Sequence, residues 1–181
     1  MEWMLLPLKR YAEFSGRSRR MEFWMFTLGV FLLYLVFMVV AMVIGLGAMG
    51  MATSGNGGLA AGGMMGFLGS MGILAVVFVV IWLGLIVPTL AVQVRRLHDT
   101  DRSGWWVMIY WGPVLLSWVL SVGAAANGST GVSAIGGIVS LLGLIGAIVL
   151  LVFWCLPGTT GPNRYGPDPL GGASNLGETF S

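Results

Sequence analysis

The middle of the chain reads Gln93-Val-Arg-Arg-Leu-His-Asp-Thr-Asp-Arg-Ser-Gly-Trp-Trp106. This stretch holds three arginines, two aspartates, two tryptophans and the only histidine of the protein. Uncharged runs flank it, from Phe23 to Val94 on one side and from Ser103 to Asn163 on the other. A charged island (residues 95–102) within so apolar a chain indicates either a connection at one membrane face or a binding site.

The composition places the chain among membrane proteins. Of its 181 residues, 57% are hydrophobic and only 9% are charged, and its mean hydropathy is +0.90. A soluble domain has about 25% charged residues. The net charge of +2 is too small to indicate a nucleic-acid partner. The single cysteine, Cys155, excludes an internal disulfide.

Four apolar runs are long enough to cross a bilayer, so the predicted fold is all-α: an integral membrane four-helix bundle. As a helix, the first run would be about 36 Å long, which is enough to cross a hydrocarbon core of about 30 Å. The predicted spans are about 23–46, 73–92, 105–122 and 134–156. We expect residues 1–22 to form an interfacial segment, residues 23–156 the membrane domain and residues 157–181 a polar tail.

The distribution of charge predicts the orientation. Every lysine and arginine lies before the first span, in the charged island or in the tail at Arg164. With four spans, these three places fall on one membrane face. The positive-inside rule assigns that face, and with it both termini, to the cytoplasm.

The two segments that join spans on the other face, residues 47–72 and 123–133, are rich in glycine and carry no charge. Because glycine is a poor helix former, both are predicted to be flexible loops. The methionines of the first are interpreted as flexible packing residues rather than as ligands of a soft metal.

Small residues and prolines give expectations within the spans. Pro88 removes a backbone hydrogen bond inside the second span, so a neighbouring group is expected to satisfy the freed carbonyl. In the fourth span, the pairs Gly136/Ser140 and Gly143/Ala147 favour close approach of another helix, from this chain or from a second copy. Ser18 is a candidate N-cap of the first span.

Three motifs resemble those of the domain-of-unknown-function 805 family, a group of small multi-pass bacterial membrane proteins. They are Gly16-Arg17 with Arg20 and Glu22 to Trp24, the Arg95–Asp99 and Arg102–Trp106 run, and Asn163 to Pro169. Their order and spread over nearly the whole chain make the resemblance specific. It implies a location in the bacterial inner (plasma) membrane and brings no established activity.

The charged side chains of these motifs form a candidate binding site on the cytoplasmic face. One interpretation is that the arginines anchor the protein at anionic headgroups. The other is that several guanidinium groups hold a specific anionic ligand. The candidate binding residues are Arg17, Arg20, Arg95, Arg96, His98, Asp99, Arg102 and Arg164. Interface anchoring is expected from Trp24, Trp105 and Trp106.

His98, Asp99 and Asp101 are too few good ligands for a zinc site, so no metal and no cofactor is expected. Instead, the aspartates are expected to pair with Arg95, Arg96, Arg102 or Arg164, while His98 bonds a carbonyl. In the tail, Arg164 is expected to meet Asp99 or Asp101 and Tyr165 to pack on an interfacial tryptophan. Ser103 is expected to cap the helix that follows it.

The sequence therefore predicts a non-enzymatic inner-membrane protein whose cytoplasmic Arg/His/Asp cluster binds lipid headgroups or a partner protein. Membrane lipids, a second copy or another membrane protein are the expected partners, and nucleic acid is not. A small oligomeric channel or transporter, with its pore along the fourth span, is the alternative. A membrane enzyme using His98 and Asp99 is the more distant alternative.

Overall fold

The computed structural model describes residues 2–53, 61–128 and 130–170, and every regular element in these ranges is helical. Four of the helices are long and apolar enough to cross a membrane, which confirms the predicted all-α architecture with four spans. The helices are α1 (Glu2–Lys9), α2 (Arg20–Thr53), α3 (Ala61–Asp99), α4 (Met108–Asn127) and α5 (Thr130–Cys155), with a short 3-10 helix at Gly104–Val107 before α4.

The two segments predicted to be loops are largely helical, so that prediction is wrong. α2 continues to Thr53 and α3 begins at Ala61, leaving only residues 54–60 of the first segment outside the described residues. In apolar surroundings a helix satisfies its own backbone groups, and this outweighs the roughly 1 kcal/mol that each glycine costs. The second connection is short because Gly128 ends α4 in the left-handed conformation, with φ at 64°.

The helices form two antiparallel pairs, α2 with α3 and α4 with α5. The pairs meet near the end of α3, where two small apolar clusters are buried. Elsewhere many apolar side chains of the four long helices are exposed in the isolated chain, as expected for surfaces that contact acyl chains. The clusters contain Phe23, Phe26 and Val92, and Leu97, Val107 and Leu150.

The small residues of α5 pack against α4 of the same chain. A Cβ atom added at Gly143 would lie 3.4 Å from Val114, and one added at Gly146 would lie 2.2 Å from the carbonyl oxygen of Ile109. That carbonyl has no N–H four residues later, because position 113 is proline. Gly146 therefore lets a freed backbone carbonyl of α4 approach the backbone of α5.

The carbonyl freed by Pro88 in α3 is satisfied from outside the helix. The hydroxyl of Tyr11 donates a hydrogen bond of 2.8 Å to the carbonyl oxygen of Gly84, which lies four residues before the proline. This bond meets the expectation that a neighbouring group replaces the missing N–H, and it ties the segment after α1 to α3.

We predict that Gly146→Ala destabilises the protein by about 1–3 kcal/mol, the usual cost of overpacking, because the two helices must separate. Gly137→Ala is the matched control on the same helix, since a Cβ atom there meets nothing within 4 Å. It should be neutral or stabilising by up to about 1 kcal/mol. Thermal unfolding in detergent measures both variants, and equal melting temperatures would contradict the close-packing argument.

We predict that Tyr11→Phe destabilises the protein by about 1 kcal/mol, the net value of a typical hydrogen bond. In a Pro88→Ala background the loss should shrink towards zero, because the restored N–H can bond the carbonyl of Gly84 within the helix. A double-mutant cycle of unfolding free energies measures this coupling. The same loss in both backgrounds would mean that Tyr11 acts in another way.

Candidate functional site: the charged end

The structure brings the three sequence motifs into contact at one end of the bundle. We call this region the charged end and define it as residues 10–22, 93–106 and 157–170. Hydrogen bonds join each of the three segments to the other two. Segments that are far apart in the sequence therefore form one site.

Asp99, the last residue of α3, lies between two buried arginines. Its Oδ1 atom accepts a hydrogen bond of 3.0 Å from Arg17 Nε and lies 2.9 Å from an Nη atom of the same arginine. Its Oδ2 atom accepts from Arg96. All three side chains are almost inaccessible to solvent, so two guanidinium groups share one buried carboxylate.

The remaining N–H groups of these two arginines bind backbone carbonyls. Arg17 donates to the carbonyls of Thr159 at 2.5 Å and Gly161 at 2.7 Å in the tail. Arg96 donates to two carbonyls at the end of α5, those of Trp154 and Leu156. A cation at a helix C-terminus is favourable for these unpaired carbonyls and for the helix dipole. The trio of Arg17, Arg96 and Asp99 is thus a clamp that joins α3, α5, the N-terminal segment and the tail.

The tail reaches this clamp through a glycine. A Cβ atom added at Gly158 would lie 2.1 Å from Asp99 Oδ2, so only glycine allows the chain to pass so close. One residue later, the N–H of Thr159 donates to the backbone carbonyl of Asp99 at 2.8 Å. These contacts hold the start of the tail against the end of α3.

Arg95 pairs with a residue that the sequence interpretation did not consider. It lies 3.2 Å from the carboxylate of Glu22 in the first turn of α2, rather than beside Asp99 or Asp101. Both side chains are buried. Their contact is an ion pair without hydrogen-bond geometry, since the side-chain nitrogens of Arg95 have no hydrogen-bond partner among the described residues.

Ser18 is not the N-cap of α2, so that prediction is wrong. The helix begins at Arg20, and the described residues offer no hydrogen bond to the Ser18 hydroxyl. The backbone N–H of Ser18 donates to the Arg95 carbonyl.

His98 binds a carbonyl and a tyrosine. Its Nδ1 atom lies 3.2 Å from the carbonyl oxygen of Gly16, which meets the expectation of a carbonyl partner. Its ring stacks on Tyr165 with the centroids 3.8 Å apart, a ring partner of Tyr165 that the sequence did not predict. Arg164 lies 3.1 Å from Asp101, as expected for the folded-back tail. Among the residues that the structure describes, no three His, Cys, Asp or Glu side chains converge on a possible metal position.

The rest of the predicted site residues surround these contacts. The guanidinium carbon of Arg102 lies 4.1 Å from the centroid of the Phe153 ring, and within the described ranges no carboxylate forms the expected ion pair with it. Ser103 Oγ accepts from the N–H of Trp105, so Ser103 is the predicted cap, although the capped element is the 3-10 helix. Arg20 is exposed, with a hydrogen bond of 3.4 Å to the carbonyl of Cys155. Trp24, Trp105 and Trp106 are exposed, as membrane-interface anchors would be.

Two cavities lie on either side of residues 17–19. The cavity towards α5 has about 420 Å³ and is bordered by Arg17, Arg19, Arg20 and the tail. The cavity towards α1 has about 470 Å³ and is bordered by Arg10, Arg17, Arg19, Glu22 and the tail. Arg19 and Pro169 border both cavities and lie between them. They are joined by a hydrogen bond of 2.5 Å from Arg19 Nε to the carbonyl of Pro169.

Asp168 borders both cavities and is held in its ionised form. The N–H groups of Leu170 and Gly161 donate to its two oxygens at 2.9 and 3.0 Å. These bonds favour the carboxylate, so they hold the pKa of Asp168 below its ordinary value. At neutral pH the cavities therefore contain both signs of charge, with arginine in excess.

Comparison with known proteins gives a family and several relatives. The family described as "Protein of unknown function (DUF805)" matches residues 11–167. Inner membrane protein YhaI of Escherichia coli K12 is 33% identical over 96% of this chain and its own full length. Inner membrane protein YhaH of the same strain is 33% identical over 93% of this chain and 97% of its own. No solved structure matches.

We predict that Asp99→Asn destabilises the protein by about 3–5 kcal/mol, because it leaves two buried guanidinium groups without a counter-charge. Asp101→Asn is the matched control. Its partner Arg164 is 60% exposed and Asp101 is 47% exposed, so that pair is worth less than about 1 kcal/mol. Unfolding of the purified protein in detergent measures both, and similar losses would contradict the clamp.

Proposed function

Since this chain is an inner membrane protein and belongs to the DUF805 family, we propose that its charged end binds the phosphate groups of anionic lipids. The proposed role is binding without catalysis. The charged end then faces the cytoplasm, as the positive-inside rule predicts, and both termini lie on that side.

The observation that carries this proposal is the pair of cavities rimmed by arginines. Guanidinium groups match the geometry of phosphate oxygens, and a cavity lets more than one of them reach the same ligand. The exposed tryptophans of the charged end fit the proposal, because aromatic belts form at the level of lipid headgroups. A phosphate at this depth would belong to a lipid of the surrounding bilayer.

The arginines divide into two groups, and the division decides where the ligand would bind. Arg17 and Arg96 share Asp99, and Arg95 faces Glu22, so each of these buried cations has a carboxylate partner. For Arg20, by contrast, the described ranges offer no carboxylate within 4 Å, and its side chain is exposed at the rim of a cavity. The proposal therefore assigns phosphate binding to Arg20 and also to Arg19, which borders both cavities. It assigns a structural role to Arg17, Arg95, Arg96 and Asp99.

The other candidate functions have less support. A pore along the fourth span would need the face that carries Gly136 and Gly143, and this face packs against α4. An acid–base role for His98 and Asp99 would need them free to act on a substrate, whereas Asp99 holds two arginines and His98 is stacked on Tyr165. A partner protein that docks on the charged end remains compatible with the same arginines.

We predict that the double variant Arg19→Gln/Arg20→Gln binds an anionic phospholipid about 25-fold more weakly than the wild type. The estimate takes about 1 kcal/mol, or roughly fivefold, for each cation near an anionic lipid surface. Lys9→Gln is the single-charge control, because Lys9 is exposed and its side chain borders neither cavity.

Native mass spectrometry of the full chain in detergent measures this binding. The protein is titrated with phosphatidylglycerol, and phosphatidylcholine serves as the lipid without net charge. Retained affinity in the double variant would overturn the proposal. So would a loss in Lys9→Gln as large as the roughly fivefold expected for each cavity arginine, since distance from the cavities would then not matter.

A further inference from the structure

A narrow apolar slot lies beneath α1. It has a volume of about 260 Å³, and α1, α2 and α3 all contribute to its walls. Every residue that borders it is apolar or glycine, among them Met4, Leu8, Phe26, Leu33 and Leu85. The slot therefore fits a hydrocarbon chain and offers nothing to a polar ligand.

The slot and the α1-side cavity lie on two sides of the same short helix. Met4, Leu5 and Leu8 of α1 border the slot, whereas Leu6 borders the cavity together with Arg10 just after the helix. The bond from Tyr11 to the carbonyl of Gly84 holds this part of the chain against α3. α1 thus contributes to the walls of both the apolar slot and the cationic cavity.

The α1-side cavity lies at the depth of a phospholipid headgroup, and the slot lies at the depth of its acyl chains. Glu22 borders the cavity, and the α2 residues that border the slot run from Phe26 to Leu33. At 1.5 Å per residue, the slot is about 6–17 Å further along α2. The headgroup layer of one leaflet is only about 5–8 Å thick, so a phosphate at the cavity places the slot among the acyl chains.

We infer that the α1-side cavity and the slot form one site for an anionic diacyl phospholipid of the bilayer. Its phosphate is bound by Arg10 and Arg19, and one acyl chain lies in the slot under α1. The inference rests on the proposed function and adds that a diacyl lipid uses the cavity that Arg19 shares with Arg10. Arg20 borders only the α5-side cavity and contributes to this site through its charge alone.

Two carboxylates and three arginines border the α1-side cavity, so positive charge is in excess there. Glu22 faces the buried Arg95, and Asp168 accepts from the N–H groups of Gly161 and Leu170. The ion pair of Arg10 with Glu13 is 3.7 Å long and exposed, so a phosphate can compete for that guanidinium group.

Filling the slot is the direct test. Gly29 lies in its wall, and a Cβ atom added there would come within 2.9 Å of Met4 Cε, the mobile end of a flexible side chain. Gly29→Leu should therefore occupy the slot without breaking α2. Gly47→Leu is the matched control on the same helix, because a Cβ atom at Gly47 meets nothing within 4 Å. Leu85→Trp fills the slot from α3 and serves if Gly29→Leu does not fold.

The full chain is titrated in detergent with dioleoyl-phosphatidylglycerol and, separately, with glycerol phosphate, which has the charge but no chain. We expect wild type and Gly47→Leu to bind the lipid more tightly than glycerol phosphate. Gly29→Leu or Leu85→Trp should weaken lipid binding by about tenfold and leave binding of glycerol phosphate unchanged.

If Gly29→Leu, Leu85→Trp and Gly47→Leu bind the lipid equally well, the inference that an acyl chain lies in the slot is wrong. The proposed binding of lipid phosphate would still be tested by Arg19→Gln/Arg20→Gln. The inference is also wrong if the wild type binds the lipid and glycerol phosphate equally well. The acyl chain would then add nothing to the affinity. If wild type binds neither, both the proposed function and the slot are wrong.

Discussion

The structure of the charged end depends on one buried carboxylate, Asp99. It pairs with Arg17 from the N-terminal segment and Arg96 from its own helix, and these arginines in turn bind carbonyls of the tail and of α5. A buried charge is tolerated only when it is paired and hydrogen-bonded, so the three side chains require one another. Because the two helix pairs meet mainly at this end, the clamp also sets how α2 and α3 stand relative to α4 and α5.

A second constraint comes from the membrane, which supplies no water to unpaired backbone groups. Each of two prolines inside a spanning helix frees a carbonyl, and the two carbonyls have different surroundings. The hydroxyl of Tyr11 donates to the carbonyl of Gly84, whereas the carbonyl of Ile109 lies against the backbone of α5 at Gly146. The first contact attaches the N-terminal segment to α3, and the second requires α4 and α5 to lie close together.

These two constraints bear on the proposed lipid binding. The clamp uses the donors of Arg17 and Arg96 internally, so their charge is not available to a ligand in the way that a list of cationic residues suggests. Of the arginines that border the α5-side cavity, Arg20 is the one with an exposed side chain. Tyr11 keeps α1 beside α3, where the apolar slot and the cationic cavity lie at neighbouring depths. A lipid site of this kind arises from the connection between elements rather than from one motif.

The sequence by itself determined the helical class, the number of spans and the gathering of charge at one end, because each follows from local apolar runs and from the position of charged residues. It also indicated that His98 binds a carbonyl and that the tail folds back to Asp99 or Asp101, of which the structure has Asp101 as the partner of Arg164. Only the tertiary structure decided that Arg95 faces Glu22, that Tyr165 stacks on His98 and that Gly158 lies against Asp99. These contacts join residues more than fifty positions apart, so they depend on how the helices pack, which no local pattern contains. The predicted loops were wrong for a related reason, since glycine content reports the intrinsic preference of the chain and not the apolar surroundings that keep a helix hydrogen-bonded.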